Sequence, residues 1–529
     1  MAGRSWDFAA SDAGAARTIG SRARTRLELL LSTPRFTTWG GILVLWGVLL
    51  AGILPTLLAH AAPSGADPGN WLDLAWTITG QGARLSTWAY PPLSFFLLRG
   101  LLFIFAPLAA VKVYGLISVG FMLAALWLAL DRGLPRLPAL VKLGIAAVFG
   151  LAGYNAEIYA WGGYPQILGT AFLLLCLPAL EETLRTGSKR AAAIAVLSAL
   201  GIIFVHHMIA ALLPVLWVGI FLWTFFLNRR TGRMVWSRFW RASLAVAVPA
   251  MLALPIYLRY AALLAGSPTN SNGFSFASLS VLIQYVFRNL SPLWISLLVV
   301  AMTAPFLARR ARISGSALVL TWGVLLPFLF LWEVRLLQLV YMGMAFGLGL
   351  LFEAAWNTTS SPVLARVRHG LLAGGLILAL IPGLSQAHVQ YLQAADYYRV
   401  ADDAILPGIS WIGAHVPPGE RIASSRTRPD LLGWWIEGLA KRPTLAATDL
   451  RWLSFKSEKV YAAAANEIFD PKTPVDRITA LLVQYQVRWL FIDKKAETSD
   501  LSALIEQGVL QGAYEDSRVL ILRVKPPNG

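Results

Sequence analysis

Most of the side chains that could act on a substrate lie in polar stretches between apolar runs. Asp67 and Asp73 follow the first apolar run, Glu157 follows a later one, and His206 and His207 form a pair between two others. A carboxylate next to a substrate hydroxyl can accept its proton. Charged groups near hydrocarbon are costly and are usually functional or paired. These residues are therefore candidates for chemistry.

Each candidate also has a purely structural interpretation. Asp67 precedes Pro68 and could simply cap the helix expected over 69–80. Asp73 could lie on a solvated face, because six residues of helix turn it about 240° away from Asp67. Glu157 could be an ordinary loop acid, and the two histidines could be a hydrogen-bonded pair at the membrane interface.

Basic residues are few in the same set of loops. Arg335 begins a late apolar run and lies two residues after Glu333, so the two side chains point to different sides of a helix. Arg335 could bind an anion or could only anchor the helix at the interface. Lys112 precedes another apolar run. None of these spacings matches a known motif for metal binding, for a catalytic nucleophile or for a phosphate-binding loop. The feature that these residues share is their predicted placement at one face of the membrane.

The elements that must position these residues are membrane helices. Charged residues make up 14% of the 529 residues and hydrophobic ones 57%, with a mean hydropathy of +0.60. Soluble proteins carry about 25% charged residues. The net charge is +17, but residues 389–529 hold 17 basic and 17 acidic residues, so the whole excess lies before them. Basic residues in short loops between apolar runs indicate membrane topology and argue against nucleic-acid binding.

Eleven apolar runs are predicted to span the membrane: 38–59, 113–130, 139–154, 164–180, 191–207, 209–227, 242–260, 292–308, 316–332, 336–354 and 370–387. The segment 90–108 is also apolar, but it begins with Pro91-Pro92 and carries Arg99 near its middle. If it does not cross, the segments on the cytoplasmic side hold 22 basic residues, and the external segments before the C-terminal domain hold six. The positive-inside rule therefore favours a re-entrant or surface-lying helix for 90–108.

With eleven spans and a cytoplasmic N-terminus, the C-terminal residues are predicted to lie on the external side of the membrane. Hydrophobic periodicity there predicts helices over 458–469 and 475–486 and strands over 487–493 and 519–524. The sequence thus predicts an α-helical polytopic membrane protein with about eleven transmembrane helices and a small α/β domain. Its parts are a cytoplasmic segment 1–37, a membrane domain 38–392 with a long external loop 60–111, and an external domain 393–529.

In four places the sequence resembles the GT-C superfamily of membrane glycosyltransferases, distantly like protein O-mannosyltransferases and lipid A aminoarabinose transferases. Asp67 follows the first span and precedes Tyr90-Pro-Pro-Leu93, Glu157 lies in an acidic second external loop, and Arg335 opens a late span. The fourth place is the external domain, with Trp411-Ile412, Pro417-Pro-Gly-Glu-Arg-Ile422, Gly433-Trp-Trp-Ile-Glu-Gly-Leu439 and Arg442-Pro-Thr-Leu445. Asp67-Pro68 departs from the acidic pair of the O-mannosyltransferases, which argues against protein mannosylation.

The resemblance implies a GT-C-like fold and an inverting transfer of a sugar from a polyprenyl-phosphate donor to a hydroxyl of a glycan, lipid or protein. Asp67 would be the base, and Arg335 would bind the donor phosphate. Glu157 would orient the acceptor or, with Asp67 and His206 or His207, hold Mg²⁺ or Mn²⁺. The metal stays an open alternative. Further candidates for substrate contact are Asp73, Tyr90, Lys112 and Glu333.

Two other functional classes stay open. A lipid or solute transporter usually carries ionisable residues near the bilayer midplane and contains repeats, whereas here the ionisable residues gather at one face and no repeat is visible. The other class is a membrane scaffold whose external domain binds a partner without catalysis. In each case the expected location is the plasma membrane of a bacterium, with the C-terminal domain outside.

Overall fold

The computed structural model describes residues 34–78, 80, 90–151, 154–228, 236–265, 299, 301–304, 314–323, 337–357, 385, 388–425, 431–448, 456–496 and 501–525. Glu333 and Arg335 lie outside these residues. So do most of the predicted spans 292–308 and 370–387 and the second half of 316–332.

The described part of the membrane domain is helical, with these bounds: α1 Pro34–Leu58, α2 Asp67–Thr77, α3 Leu93–Leu101, α4 Pro107–Gly133, α5 Ala139–Leu151, α6 Tyr154–Trp161, α7 Tyr164–Thr186, α8 Lys189–Val205, α9 His207–Asn228, α10 Trp236–Ala265, α11 Gly315–Leu318, which continues as a π-helix over Val319–Gly323, and α12 Leu337–Asn357. By length and composition, α1, α4, α7, α9 and α10 can each cross a bilayer. The bent pair α5 and α6, at 44° to each other, is a sixth candidate among the described residues, which omit much of three of the eleven predicted spans.

Helix α7 forms the centre of the described bundle. In its most apolar stretch 83% of the residues are buried, compared with 28% in α1 and in α10, which face outward. Gln338 on α12 links α12 to α7, since its side-chain oxygen accepts hydrogen bonds from Thr170 at 3.0 Å and from Gln166 at 3.2 Å. At the other end of α7, the Glu181 carboxylate accepts the backbone N–H groups of Gly315 and Ser316 and so caps α11.

The segment 90–108 does not form a spanning helix. Its helix, α3, has nine residues, a length of about 14 Å compared with the ~30 Å of a bilayer core. A turn follows, and Pro107 begins α4. Phe103 and Ile104 in that turn are 77% and 75% exposed, as expected for apolar side chains that contact lipid. The helix formed by this segment is therefore too short to cross the bilayer on its own.

The C-terminal domain is a four-stranded mixed sheet covered by helices. Its elements are α13 388–397, α14 Leu406–His415, β1 Arg421–Ser424, α15 Gly433–Ala440, α16 Lys456–Ile468, α17 Val475–Gln484, β2 Val487–Asp493, α18 Ser502–Glu506, β3 Leu510–Glu515 and β4 Val519–Val524. The strand order is β1-β2-β4-β3, with β1 and β2 parallel and the other pairs antiparallel. Strands β2 and β4 coincide with the two predicted strands, and α16 and α17 end within two residues of the predicted helices.

Candidate active site around Asp67

Asp67 is the first residue of α2. Ala66 occupies the N-cap position and forms no side-chain capping hydrogen bond, so Asp67 is not the N-cap residue of this helix. Asp67 is half-buried and lies in the first turn, where the partial positive charge of the helix N-terminus favours an anion. Asp67 is therefore an accessible carboxylate with support for its negative charge.

A glycine brings the loop between α6 and α7 into close contact with α2. A Cβ on Gly162, whose φ is +96°, would lie 2.3 Å from Pro68 Cδ, and the Trp71 indole N–H donates to the Gly162 carbonyl at 2.7 Å. Only glycine fits so close an approach with that backbone conformation. The contact places Asp67 beside Tyr164, the first residue of α7, near enough for its charge to act on the phenol.

The C-terminal domain packs on the other side of α2. A Cβ on Gly438 of α15 would lie 2.4 Å from the Gly69 carbonyl oxygen. The Trp76 indole donates to Gly438 O at 2.9 Å, and the Trp435 indole donates to Gly65 O at 2.8 Å. The segment Gly433–Leu439 that carries the family resemblance is thus the surface on which α2 lies.

Glu157 is held by a residue that the sequence did not single out. The Tyr398 hydroxyl donates to Glu157 Oε1 at 2.7 Å, and the Tyr398 carbonyl accepts from Gly65 N at 2.9 Å. The segment before α2, helix α6 and the start of the C-terminal domain therefore meet at Tyr398. Its only signal in the sequence is an aromatic pair, Tyr397-Tyr398, just after the membrane domain.

Asp73 is fully buried on α2, with 0% exposure, and the expectation of a solvated face for it is wrong. The helix carries Asp73 into the packing between α2 and its neighbours because Trp71, Leu72, Leu74 and Trp76 are buried around it. A general base must reach a substrate hydroxyl. The burial of Asp73 therefore favours Asp67 as the better placed of the two acids.

The histidine pair belongs to an aromatic cluster. His206 ends α8 and His207 begins α9; their rings stack with centroids 5.2 Å apart, and Tyr90 meets His207 edge-on at 5.4 Å. The Trp71 ring lies 5.3 Å from that of Tyr90. Among the described residues, no group of three or more His, Cys, Asp or Glu side chains is placed to hold a metal ion. The alternative in which Asp67 and Glu157 hold a metal together with a histidine therefore finds no support among these residues.

Lys112 binds backbone carbonyl groups at the C-terminal end of α1. Its ammonium donates to the carbonyl oxygens of Leu57 at 2.7 Å and His60 at 2.5 Å, where a cation is favourable at a helix C-terminus. Asp403 of the C-terminal domain accepts from Ala61 N at 2.8 Å beside it. These contacts fix the chain where the first external loop begins.

Solved structures show the same architecture, although no family model and no curated protein matches the sequence. ArnT from Cupriavidus metallidurans, solved with undecaprenyl phosphate, aligns at a TM-score of 0.53 and 11% identity over 92% of this chain and 99% of its own. The arabinofuranosyltransferase AftD from Mycobacteria aligns at 0.58 and 14% identity over 94% of this chain, which spans only 40% of AftD. The Archaeoglobus fulgidus oligosaccharyltransferase aligns at 0.58 and 10% identity, covering 88% and 70%.

The chain has a GT-C-like fold. In this fold the structure adds two cations that the sequence analysis did not identify. Arg99 of α3 and Lys441 after α15 both lie over the Trp76 ring, at 4.9 Å and 3.7 Å from its centroid. Neither forms an ion pair with another described residue. Trp76 is nine residues after Asp67, about 14 Å along the helix axis, so this cationic pair lies at the opposite end of α2.

Proposed function

We propose that this chain is an inverting glycosyltransferase that moves a sugar from a polyprenyl-phosphate donor to an acceptor hydroxyl at the external face of the membrane. The observation that carries the proposal is the position of Asp67. An accessible carboxylate starts a helix that is fixed between the second external loop and the C-terminal domain. The GT-C-like fold supports the donor class, since ArnT of that fold has been solved with undecaprenyl phosphate.

In the proposed reaction, the acceptor oxygen attacks the anomeric carbon of the donor sugar. The bond from that carbon to the phosphate oxygen breaks, and polyprenyl phosphate leaves with both bonding electrons. Asp67 takes the proton of the attacking hydroxyl, which prevents positive charge from building on the oxygen. Glu157, with its carboxylate fixed by Tyr398, orients the acceptor by accepting a hydrogen bond from a second hydroxyl.

The donor phosphate needs a cation close to Asp67. The anomeric carbon is bonded to the phosphate oxygen, so the phosphate lies within a few ångströms of the reacting centre. Arg99 and Lys441 lie about 14 Å away along α2 and do not suit that role. The proposal therefore keeps Arg335, predicted from the sequence and outside the described residues, as the phosphate ligand, because its planar fork can contact two phosphate oxygens.

The deciding experiment uses purified protein in lipid nanodiscs with radiolabelled sugars on polyprenyl phosphate. Release of polyprenyl phosphate together with a labelled glycoside, lost in Asp67→Asn, is the expected result. Movement of intact donor across proteoliposomes with no cleavage would instead assign a flippase. Binding of the donor with neither cleavage nor movement would leave only a scaffold.

A further inference from the structure

Four tyrosines are buried together next to Asp67. Tyr114, Tyr159, Tyr164 and Tyr391 come from α4, α6, α7 and α13, and none is more than 3% exposed. Their rings form a connected row, with centroids 5.6 Å apart for Tyr114 and Tyr164, 5.5 Å for Tyr159 and Tyr164, and 5.6 Å for Tyr159 and Tyr391.

A glycine makes room for this row. A Cβ on Gly115 of α4 would lie 2.9 Å from the Tyr164 ring and 3.1 Å from the Tyr159 ring. Any other residue at this position would push the two rings away from the helix. The positions of the rings are thus built into the packing of α4 against α6 and α7.

All four hydroxyl groups are buried without a hydrogen-bond partner of good geometry among the described residues. The Tyr114 hydroxyl lies near the Ser94 side chain, which acts on its titration. The other three belong to Tyr159, Tyr164 and Tyr391, and the Tyr159 oxygen is near enough to the other two to interact with them electrostatically. A buried hydroxyl without a partner is destabilising, and native proteins contain few such groups. Phenylalanine would keep the ring packing and remove the unfavourable group. Three neighbouring exceptions therefore indicate a polar ligand.

The chemistry of the row fits a sugar ring. A phenol can both donate and accept a hydrogen bond, so three of them can bind several hydroxyls of a polyol, while the ring faces pack against its C–H groups. Asp67 lies at one end of the row, beside Tyr164. The row is buried among the helices of the membrane domain, which is the side from which a lipid-linked donor enters. An acceptor in the external space reaches Asp67 from the other side.

We propose that Tyr159, Tyr164 and Tyr391 form the subsite for the transferred sugar of the donor. The inference rests on the proposed function, since it gives a location to the sugar that Asp67 acts on. Each hydroxyl binds a sugar oxygen, and the subsite presents the anomeric carbon toward Asp67.

The test removes one oxygen at a time. Tyr159→Phe, Tyr164→Phe and Tyr391→Phe are compared with Tyr257→Phe, a matched control whose hydroxyl donates to Ile203 O at 2.9 Å outside this row. Thermal unfolding in detergent is measured without ligand, with farnesyl phosphate, and with farnesylphosphoryl-mannose or farnesylphosphoryl-arabinofuranose. The sugarless lipid separates binding of the sugar from binding of the phosphate and the chain.

Without ligand, each variant of the row should unfold at a higher temperature than wild type, because a buried hydroxyl without a partner is gone. The control should unfold at a lower one. Affinity for the sugar-bearing lipid should fall about five-fold for each hydroxyl removed, with affinity for farnesyl phosphate unchanged. Unchanged affinity for the sugar lipids in all three variants overturns the subsite and points to bound water. The subsite is also overturned if the wild-type protein binds both sugar lipids no better than it binds farnesyl phosphate.

The subsite and the proposed transfer can fail separately. If Asp67→Asn abolishes transfer while the tyrosine variants bind the sugar lipids as wild type does, the subsite is wrong and the transferase assignment stands. If the tyrosines govern binding of the sugar lipids but wild type never cleaves them, the subsite stands and glycosyl transfer is wrong.

Discussion

The hydroxyl of Tyr398 donates a 2.7 Å hydrogen bond to Glu157, across 241 residues of sequence. The backbone of the same tyrosine binds Gly65, two residues before Asp67. Tyr398 therefore contacts both segments that carry the acids assigned to the proposed reaction. The distance between these segments depends on the position of Tyr398 at the start of the C-terminal domain.

We expect Tyr398→Phe to raise the KM for the acceptor several-fold and to leave kcat nearly unchanged. The substitution removes the side-chain hydrogen bond that orients Glu157, which is worth about 1 kcal/mol, and it preserves the backbone bond to Gly65. Steady-state kinetics with varied acceptor would measure this. Tyr397→Phe is the control, because Tyr397 is 68% exposed. An equal effect of both substitutions would refute the positioning role.

The assignment of the base predicts a rate loss of about 10²–10⁴-fold for Asp67→Asn, with the thermal stability close to that of wild type, since asparagine keeps the size of the side chain and can still cap a helix. Asp73→Asn alters a fully buried position and should change the unfolding temperature more than Asp67→Asn does. Both variants are to be compared at matched expression, with donor binding checked. Normal turnover in Asp67→Asn with a dead Asp73→Asn would move the base to Asp73, and two active variants would refute the mechanism.

Gly438→Ala should weaken the docking of the C-terminal domain on α2. Its Cβ would lie 2.4 Å from a backbone oxygen of Gly69, and overpacking of this kind costs about 1–3 kcal/mol. Gly413→Ala is the matched control in α14, where the nearest atom to the new Cβ is 3.5 Å away and helix propensity favours alanine by up to ~1 kcal/mol. The unfolding temperature and the activity should fall in Gly438→Ala but not in Gly413→Ala. Equal stability of the two would show that α2 and α15 separate at little cost.

Lys441 should make stability depend on pH in the alkaline range. Burial lowers the pKa of Lys441 below 10.5, and Arg99 and Arg442 lower it further. Between the folded pKa and 10.5 the unfolded state therefore binds more protons, so stability rises with pH in that window. Relative to Lys441→Gln, wild type should gain stability as the pH rises from neutral toward about 10.5. Lys472→Gln, at an exposed residue, should show no such trend. A pH-independent difference for Lys441→Gln would contradict the electrostatic account.

The proposed topology places residues 1–37 in the cytoplasm and 393–529 outside, based on the 22 basic residues of the inside segments compared with six outside. In a Cys176→Ala background, Gln507→Cys, at an exposed position of the C-terminal domain, should react with an impermeant maleimide added to intact cells. Ser21→Cys should react only after permeabilisation. The opposite pattern would reverse the orientation of the whole chain.

Local patterns were enough to locate single elements. Strands β2 and β4 coincide with the predicted residues because each is a short, mostly apolar run, and α3 is as short as the prolines before and after it suggest. The burial of Asp73 was not predictable in this way. Helical geometry gives its angle relative to Asp67 but does not reveal that α15 covers α2, since Trp76 and Gly438 are 362 residues apart in sequence.

The contacts at the site were out of reach of sequence reasoning for the same reason. Tyr398 with Glu157, and Lys441 with Trp76, each join distant segments, and a single sequence holds no record of which segments meet. The histidine pair left two interpretations open in the sequence. A metal site requires several ligands to converge from different elements, and adjacency alone does not reveal such convergence; the described structure shows the two imidazoles stacked on each other beside Tyr90.

The indole of Trp435 binds Gly65 across 370 residues of chain, and this separation has a consequence for biosynthesis. The ribosome makes the helix that carries Asp67 early, and its partner surface is made only after every described membrane helix has been inserted. Until the last quarter of the chain has been made and folded, that helix lacks its contacts with the C-terminal domain and keeps only those with the membrane domain, such as Trp71 with Gly162. A prematurely terminated copy would therefore reach the membrane with the proposed centre incomplete, so that it could not carry out the proposed reaction.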